Sequence, residues 1–245
     1  MGRLKSVETM AAKVRPALMR LYGALPFGSS RKMRVIVTVK PYTMMSYAKL
    51  SALYDLAWSL ERHGVPGSFV QCGVLNGGSA GLIASTARDN ILRHLWLFDS
   101  WEGLPDPSEF DVARSGQPGR KGMFHGSLER VKEVLFERLG APGERVHLEK
   151  GWFAETVPQA KPSIGEIALL NLDCSLYESY KLCLEELYDA VVSDGIVWID
   201  DYAVWEGCKR AVDEFLESKK LSVNLQRVRE VAQRYDAVWF RKPPK

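Results

Sequence analysis

The sequence predicts an α/β fold built on a doubly wound, mostly parallel seven-stranded sheet, with a helical N-terminal extension. Short apolar runs alternate with helical patterns from residue 68 onward, which is the order of successive βαβ units. Two of these runs, 167–173 and 196–200, are nearly continuous in apolar residues and stop at acids, as buried parallel strands do. A chain of 245 residues can hold one such domain with an added segment.

Composition and charge exclude several classes of protein. The formal net charge of +3 is too small to indicate a nucleic-acid partner. No apolar run approaches the ~18–20 residues that span a bilayer, and the N-terminus lacks the continuous apolar core of a signal peptide. Four scattered cysteines favour reduced thiols in a cytoplasmic protein over a disulfide framework. They are Cys72, Cys174, Cys183 and Cys208.

Residues 1–40 are predicted to form a basic arm or lid, separate from a domain at 41–245. The segment carries nine lysines and arginines against one acid, Glu8. Apolar residues at helical spacing between Val7 and Tyr22 also fit an interfacial membrane helix. Pro16 interrupts that helix, so a membrane surface is the less favoured partner.

The first half of the domain begins with a helix and two strands. Leu50, Leu53 and Leu60 share one helical face, and His63-Gly64-Val65-Pro66 ends the helix. The apolar run that follows predicts a strand, and a glycine-rich turn leads it into the next helix. A long Pro/Gly-rich loop follows the second strand. The predicted elements are a helix at about 44–63, strand Ser68–Cys72, a helix at 79–88, strand His94–Phe98 and the loop 101–126.

The second half repeats the alternation of strand and helix. Its final two apolar runs lie close together, which predicts an antiparallel pair that makes the sheet mixed. The predicted elements are helix Leu128–Leu139, strand Val146–Glu149, strand Ile167–Asp173, helix Glu178–Ala190, strand Ile196–Asp200, helix Glu206–Ser218 and strands at about 223–231 and 235–241.

The glycine-rich turn and the acid after the second strand indicate a nucleoside site. Glycine lets the backbone approach a ligand, and the start of the next helix offers free N–H groups. Asp99 follows Gly78 by 21 residues, a spacing that suits an acid binding ribose hydroxyls. Because the turn is not G-x-G-x-x-G, a dinucleotide is not the first choice. The alternative is an ordinary turn with Ser79 as N-cap and a surface Asp99.

Three acids at strand ends indicate a metal site. Asp173 follows one apolar run, and Asp200 and Asp201 follow another. If the two strands are neighbours, three carboxylates meet at one edge of the sheet, and a bound cation relieves their repulsion. The alternative is that Asp173 caps the helix near Tyr177, and Asp200 and Asp201 cap the helix near Trp205.

A competing pattern, Tyr177-x-x-x-Lys181, is the spacing that NAD(P)-dependent short-chain dehydrogenases use for proton transfer. A serine, Ser163, lies about a dozen residues earlier. The match is weak because nine tyrosines in a lysine-rich chain produce such a pair by chance. Ser163 also precedes a strand instead of ending one.

With these residues in hand, the chain resembles the macrocin O-methyltransferase family from about Pro41 to Phe240. The resemblance rests on the order and spacing of several short blocks. They are Pro41-Tyr42-Thr43-Met44, Gln71 to Ser79, Phe98 to Pro105, Lys150-Gly151-Trp152-Phe153, Leu172 to Ser179, and Asp200-Asp201-Tyr202 with Trp205 and Gly207. It implies a class I methyltransferase, Rossmann-like fold that uses S-adenosylmethionine and a divalent ion, most simply Mg²⁺.

The resemblance also implies roles for individual residues. Asp99 would bind the ribose hydroxyls, Thr43 and Met44 would close over the methionine end, and Ser127 and Trp152 would lie near the adenine. The expected cofactor-binding residues are Thr43, Met44, Gly73, Asn76, Ser79, Asp99, Ser100, Ser127, Trp152 and Asp173, and the expected metal ligands are Asp173, Asp200 and Asp201.

Three positions depart from the family pattern. Gln71 stands where glutamate is usual, and Asn76 where arginine is usual. Ser175 stands at the position of the second acid of an Asp-x-Asp pattern, which is the proposed general base. A serine hydroxyl cannot take a proton at neutral pH without its own base. A metal-bound hydroxide, Asp111 or His125 from the long loop, or no base at all then remain as alternatives.

The expected function is methylation of a hydroxyl on a sugar, a glycosylated natural product or a glycolipid. The alternative is an S-adenosylmethionine-binding homologue whose catalysis is altered or lost because of Ser175. The resemblance further implies a homo-oligomer, in which the segment 1–40 serves as lid or oligomer arm. The acceptor itself is not predicted, because loops such as 101–126 build acceptor pockets.

Overall fold

A computed structural model describes residues 31–229 and 235–244 of the chain. Strands and helices alternate through the described part, as predicted. The helices are α1 (Arg31–Val39), α2 (Tyr47–Arg62), α3 (Gly78–Thr86), α4 (Leu128–Lys132, continued as a π-helical turn over Glu133–Arg138), α5 (Phe153–Ile164), α6 (Tyr177–Leu187) and α7 (Glu206–Ser218). The strands are β1 (Ser68–Cys72), β2 (Leu95–Asp99), β3 (Val146–Lys150), β4 (Ile167–Leu172), β5 (Val191–Ile199), β6 (Gln226–Arg229) and β7 (Tyr235–Arg241).

The seven strands form one sheet in the order β3-β2-β1-β4-β5-β7-β6. Strands β1 to β5 pair in parallel, and β7 runs antiparallel to β5 and β6. The strand order reverses between β1 and β4, and ligands of such sheets bind outside the carboxyl ends at that point. The register aligns the carboxyl ends of β1, β4 and β5, because Cys72 pairs with Leu172, and Leu172 pairs with Ile199.

Successive residues of the central strands enter two separate cores, one on each face of the sheet. Phe69 and Leu169 pack with α1 to α4, whereas Val70 and Leu170 pack with α5 to α7. All four side chains are buried. Burial on both faces explains why these strands are continuous apolar runs instead of alternating ones. The doubly wound, mostly parallel prediction is therefore confirmed.

The predicted strands all occur, and most of their ends agree with the prediction to within two residues; β5 begins five residues earlier than predicted. Helix α5 lies in a stretch for which the sequence predicts no helix. Pro158 and Pro162 lie inside it, and proline removes a helical hydrogen bond. The helix forms nonetheless because Val157, Ala160 and Ile164 share one face and are buried against the sheet. Tertiary packing thus overrides the local signal.

The first 30 residues of the predicted arm lie outside the described residues, and so does the predicted helical pattern there. The next nine form α1, and Val35, Ile36 and Val39 of α1 are buried in the domain core. Residues 31–39 thus pack with the domain. No helix in the described part of the chain combines the length and apolar character needed to cross a membrane.

The long loop after β2 is tied to the second half of the domain by one buried acid. Asp111 is 2% exposed. Its carboxylate accepts hydrogen bonds from the Ser108 N–H at 2.8 Å and from the Tyr177 N–H, at the start of α6, at 2.7 Å. A backbone bridge between Ala113 and Trp205 adds a second attachment. The loop is therefore a fixed wall at the edge of the sheet.

Replacing Gly207 with alanine should destabilise the protein by about 1–3 kcal/mol, because the new methyl group overpacks this attachment. A Cβ at Gly207 would lie 2.2 Å from Asp111 Oδ1. Chemical denaturation of both proteins measures the change. The matched control is Gly143→Ala, where a Cβ meets nothing within 4 Å; its effect should stay within about 0.5 kcal/mol. Equal stabilities for the two variants would contradict the attachment of the long loop through Asp111.

Candidate active site

A cavity of about 430 Å³ opens at the carboxyl edge of the sheet, above the ends of β1, β2, β4 and β5. Most of the predicted site residues line it. They are Thr43, Met44, Gly73, Ser79, Asp99, Ser100, Trp152, Asp173, Ser175, Asp200 and Asp201. Asn76 and Ser127 instead line a neighbouring cleft with His125 and Lys150. There the Ser127 N–H donates to Asn76 Oδ1 at 3.0 Å.

The glycine-rich turn after β1 needs glycine at its first position. Gly73 has φ +87° and a Cβ there would lie 1.9 Å from the carbonyl oxygen of Asp173, so no other residue fits. Gln71, just before the turn, is fully buried, and its amide donates to Gly73 O at 2.8 Å and Ser79 Oγ at 2.7 Å. This departure from the family's glutamate therefore holds the turn against the start of α3.

Asp99 organises the same turn from the end of β2. Its Oδ2 accepts hydrogen bonds from the N–H groups of Val74 at 2.7 Å and Leu75 at 2.9 Å. Its Oδ1 accepts from the Trp101 N–H at 2.7 Å. Oδ1 therefore retains a lone pair for a further donor, whereas Oδ2 is saturated by its two N–H partners. The alternative of a surface Asp99 is wrong, because this carboxylate joins two loops at the cavity wall.

The three acids predicted as metal ligands lie together and form what we call the acid rim: Asp173, Asp200 and Asp201. One carboxylate oxygen from each lies within 4.8 Å of the other two. Asp200 and Asp201 are buried, and Asp173 is partly exposed toward the cavity. The register of β4 and β5 produces this approach, since each acid directly follows its strand. Hard oxygen ligands at this spacing fit a divalent cation such as Mg²⁺.

The acids do not act as helix caps. Asp201 Oδ2 accepts from the Ser175 N–H at 2.9 Å and from the Tyr180 hydroxyl at 3.1 Å. Asp111, not Asp173, accepts the N–H of Tyr177 at the start of α6. No side chain caps α7. The capping alternative for the acid rim is therefore wrong.

Burial and mutual repulsion make the acid rim electrostatically costly. Burial, with the neighbouring charges of Asp200 and Asp201, raises the pKa of Asp173 well above its ordinary value. Burial and the Asp200 charge raise the pKa of Asp201 to about 6, although Lys49 acts in the opposite direction. Buried like charges in this arrangement are typical of a site that binds a cation.

The sequence reasoning missed Lys49, which reaches the acid rim from α2. Its Nζ lies 2.7 Å from Asp200 Oδ2 and 3.1 Å from the Asp200 carbonyl oxygen. Burial has the largest single effect and lowers the pKa of Lys49. The charge and hydrogen bond of Asp200, with the charges of Asp201 and Asp173, together outweigh burial, so the pKa is raised. The sequence did contain a signal for a buried lysine. Lys49 precedes Leu53 by four residues and so lies on the apolar face of the predicted helix.

The structure places the residues considered for the general base in different surroundings. Ser175 lines the cavity with φ +60°, and the cavity lining includes neither Asp111 nor His125. Asp111 is engaged in the loop attachment, and His125 lies in the neighbouring cleft. Neither residue is therefore placed in the cavity, and a metal-bound hydroxide or no base remain as alternatives. An acid that the sequence reasoning did not single out, Glu178, does line the cavity beside Ser175.

The dehydrogenase pattern is not assembled as that chemistry requires. The Tyr177 hydroxyl donates to Glu214 Oε2 at 2.6 Å, away from the cavity. The Lys181 ammonium lies 5.8 Å from the centre of the Tyr177 ring. A tyrosine that acts in proton transfer has to face the reacting group. The Tyr177 ring is instead buried in the core that α5 to α7 form with the sheet.

The raised pKa of Asp201 predicts a pH dependence of stability in metal-free protein. The folded state holds this proton up to about pH 6, whereas the unfolded chain releases it near 3.8. The contribution of the Asp201 carboxyl to the free energy of unfolding is therefore fully present below pH 4. It is lost as the pH rises through 6. With EDTA present, the unfolding free energy of wild type minus that of Asp201→Asn should fall by roughly 1–3 kcal/mol between pH 4 and 7. A difference that stays flat or rises with pH would contradict this assignment.

Comparison with known proteins agrees with this geometry. The family model of macrocin O-methyltransferase (TylF) matches residues 26–242. A tetracenomycin 4'-O-methyltransferase of Streptomyces olivaceus, which acts on a 2,3-dimethoxy-rhamnosyl compound, is 33% identical over 179 residues, covering 71% of this chain and 67% of the relative. The demethyldecarbamoylnovobiocin O-methyltransferase of Streptomyces niveus is 32% identical over 179 residues, with the same shares.

Solved structures show the same relationship. The O-methyltransferase NovP superimposes with a TM-score of 0.72 at 30% identity, and the match covers 82% of each chain. The calicheamicin methyltransferase CalS11, at 24% identity and a TM-score of 0.68, shares the fold over 96% of this chain and 92% of its own. The family match spans the glycine-rich turn, Asp99 and the acid rim. The chain is therefore a member of the macrocin O-methyltransferase family.

Proposed function

We propose that the protein transfers the methyl group of S-adenosylmethionine to a hydroxyl of a sugar or glycosylated small molecule, with help from Mg²⁺. One observation carries this proposal: a single cavity is lined both by the nucleoside-type turn with Asp99 and by the acid rim. A donor held by the first and a hydroxyl held near the second would share one enclosed space. Methyl transfer needs this alignment more than any other assistance.

The cofactor would lie along the carboxyl ends of β1 and β2. Asp99 Oδ1 would offer its remaining lone pair to a ribose hydroxyl, and Gly73 lets the backbone approach the ligand. Thr43, which lies against Gly78 at the start of α3, and Met44 also line the cavity, where they would cover the methionine end. Met44 is 70% exposed without a ligand, so a bound cofactor would give this side chain an apolar contact.

The donor set of the acid rim fits Mg²⁺. The Asp173 carboxylate faces the cavity without a hydrogen bond or ion pair from the described residues, so both its oxygens are open. Asp200 and Asp201 each keep lone pairs beyond their hydrogen bonds. Bound there, Mg²⁺ would acidify and orient a hydroxyl of the acceptor. Two of the ligands are already fixed by Trp198 and Ser175, so the rim is preorganised.

The walls of the cavity fit an acceptor with a sizeable apolar part. Loop 101–126 and the segment before α7 contribute Leu104, Phe124, Val204 and Trp205. Phe124 and Trp205 meet edge to face, with ring centres 6.4 Å apart. Aromatic walls bind sugar rings and apolar aglycones alike. The relatives are named for a rhamnosyl-tetracenomycin and for demethyldecarbamoylnovobiocin, and the first of these agrees with this choice of acceptor class.

We further propose Glu178 as the general base that replaces the acid missing at Ser175. Glu178 lies in the first turn of α6, lines the cavity and is exposed. It makes no hydrogen bond or ion pair among the described residues, whereas Asp99, Asp200 and Asp201 are engaged. In the reaction the acceptor O–H proton passes to this carboxylate. The oxygen forms its bond to the methyl carbon, and the bond from that carbon to sulfur breaks.

The test is methyl transfer from S-adenosylmethionine, with Mg²⁺, to two probes, the compounds for which the relatives above are named: demethyldecarbamoylnovobiocin and 8-demethyl-8-(2,3-dimethoxy-α-L-rhamnosyl)-tetracenomycin C. Mass spectrometry should detect a product one methyl group heavier. Glu178→Gln should lower kcat by about 10²–10⁴-fold, the usual contribution of a general base, without changing the affinity for S-adenosylhomocysteine. Glu185→Gln is the matched control, because this exposed glutamate lies two turns further along α6, outside the cavity lining.

Other outcomes separate the two parts of the proposal. Wild-type rates in Glu178→Gln would show that the base lies elsewhere. Cofactor binding without transfer to either probe would favour a binding protein that has lost catalysis. In that case Ser175→Asp decides the cause, since a gain of transfer would show that the missing acid is responsible.

A further inference from the structure

Lys49 is a buried cation in direct contact with the acid rim. Lys49 is 7% exposed and Asp200 is 5% exposed, so their contact is almost free of water. The ammonium bonds both the side chain and the main-chain carbonyl of Asp200. It reaches there from the first turn of α2, whose N-cap Ser46 accepts the Lys49 N–H. The contact spans 151 positions of sequence.

The charges of this cluster favour one divalent ion. Three carboxylates and one ammonium leave a formal charge of −2 when all four groups are ionised. A divalent ion would bring the cluster to neutrality, which is the cheapest state for buried charges. Without Lys49 the rim would carry −3, and its attraction for a cation would rise.

We propose that Lys49 is a positioning residue with two effects on the acid rim. It holds Asp200 in place, and it cancels one carboxylate charge so that a divalent ion binds reversibly instead of tightly. The inference rests on the proposed function only in treating the acid rim as a divalent-ion site. It extends that proposal, because it assigns the control of ion affinity to a residue outside the set of ligands.

A second consequence concerns the cavity cover. Thr43 to Met45 line the cavity immediately before α2, and Lys49 anchors the start of that helix to the end of β5. Tyr42 is fixed on the other side, where its hydroxyl donates to Glu133 at 2.7 Å. The segment is thus held between the α4 region and the acid rim, and the ion pair is one of its attachments.

The test measures Mn²⁺ affinity of the full-length protein by electron paramagnetic resonance, for wild type and four variants. Lys49→Met and Lys49→Gln remove the charge and should bind Mn²⁺ at least tenfold more tightly. Lys49→Arg keeps the charge and should stay within about threefold of wild type. Lys219→Met is the matched control, since Lys219 pairs with Asp189 on the surface and should not change the affinity.

Thermal unfolding gives an independent readout. Without metal, Lys49→Met should unfold at a lower temperature than wild type, because Asp200 is left buried and unpaired. Saturating Mg²⁺ should raise its Tm by more than it raises that of wild type, because the ion takes over the lost charge. A residue that only held Asp200 in place would give the opposite sign, since its loss would weaken ion binding.

Each pattern of results decides the inference. If wild type binds Mn²⁺ and the charge-removing variants bind it no more tightly, the proposed role of Lys49 is overturned, and the proposed function is not. Binding by those variants but not by wild type would support Lys49 and overturn the Mg²⁺ assistance in the proposed function. Binding by neither would overturn both. If Lys49→Met does not fold, as circular dichroism would show, Lys49→Gln and Lys49→Arg carry the comparison.

Discussion

The repulsion between three carboxylates at the ends of β4 and β5 is the constraint on which the site depends. Parallel pairing in fixed register brings Asp173, Asp200 and Asp201 to one edge, with ligand atoms within 4.8 Å. An arrangement of this kind persists only where a cation or fixed donors offset the charge. Lys49, Trp198 and the Ser175 N–H provide part of that offset. The remaining negative charge faces the cavity, which is where a divalent ion is useful for chemistry.

The scaffold around the acid rim is rigid in the places where alignment matters. Asp99 binds the glycine-rich turn to the end of β2, and Asp111 binds the long loop to the start of α6. Each uses a carboxylate to satisfy backbone N–H groups that would otherwise be unpaired. The glycine-rich turn, the acid rim and the wall that loop 101–126 contributes are thereby fixed relative to one another. Methyl transfer by proximity requires a cavity with these properties.

The strands and the acid rim could be predicted from the sequence. Strands that are buried on both faces are uninterrupted apolar runs, and the three acids stand where two of these runs end. The sequence was insufficient for α5, since the prolines inside it are tolerated only through packing on the sheet. Lys49 was missed because its partner lies 151 residues away and only the docking of α2 brings them together. Glu178 was overlooked for a similar reason: in sequence it is one acid at a helix start, and only the cavity gives it a role.

The most direct measurement is the anomalous scattering of Mn²⁺ in crystals grown with S-adenosylhomocysteine. We expect one peak between Asp173, Asp200 and Asp201, with carboxylate oxygens at about 2.1 Å, and the nucleoside on Asp99 in the same cavity. A cavity that holds S-adenosylhomocysteine but shows no peak at the acid rim would contradict the account. So would a peak whose ligands exclude these three residues.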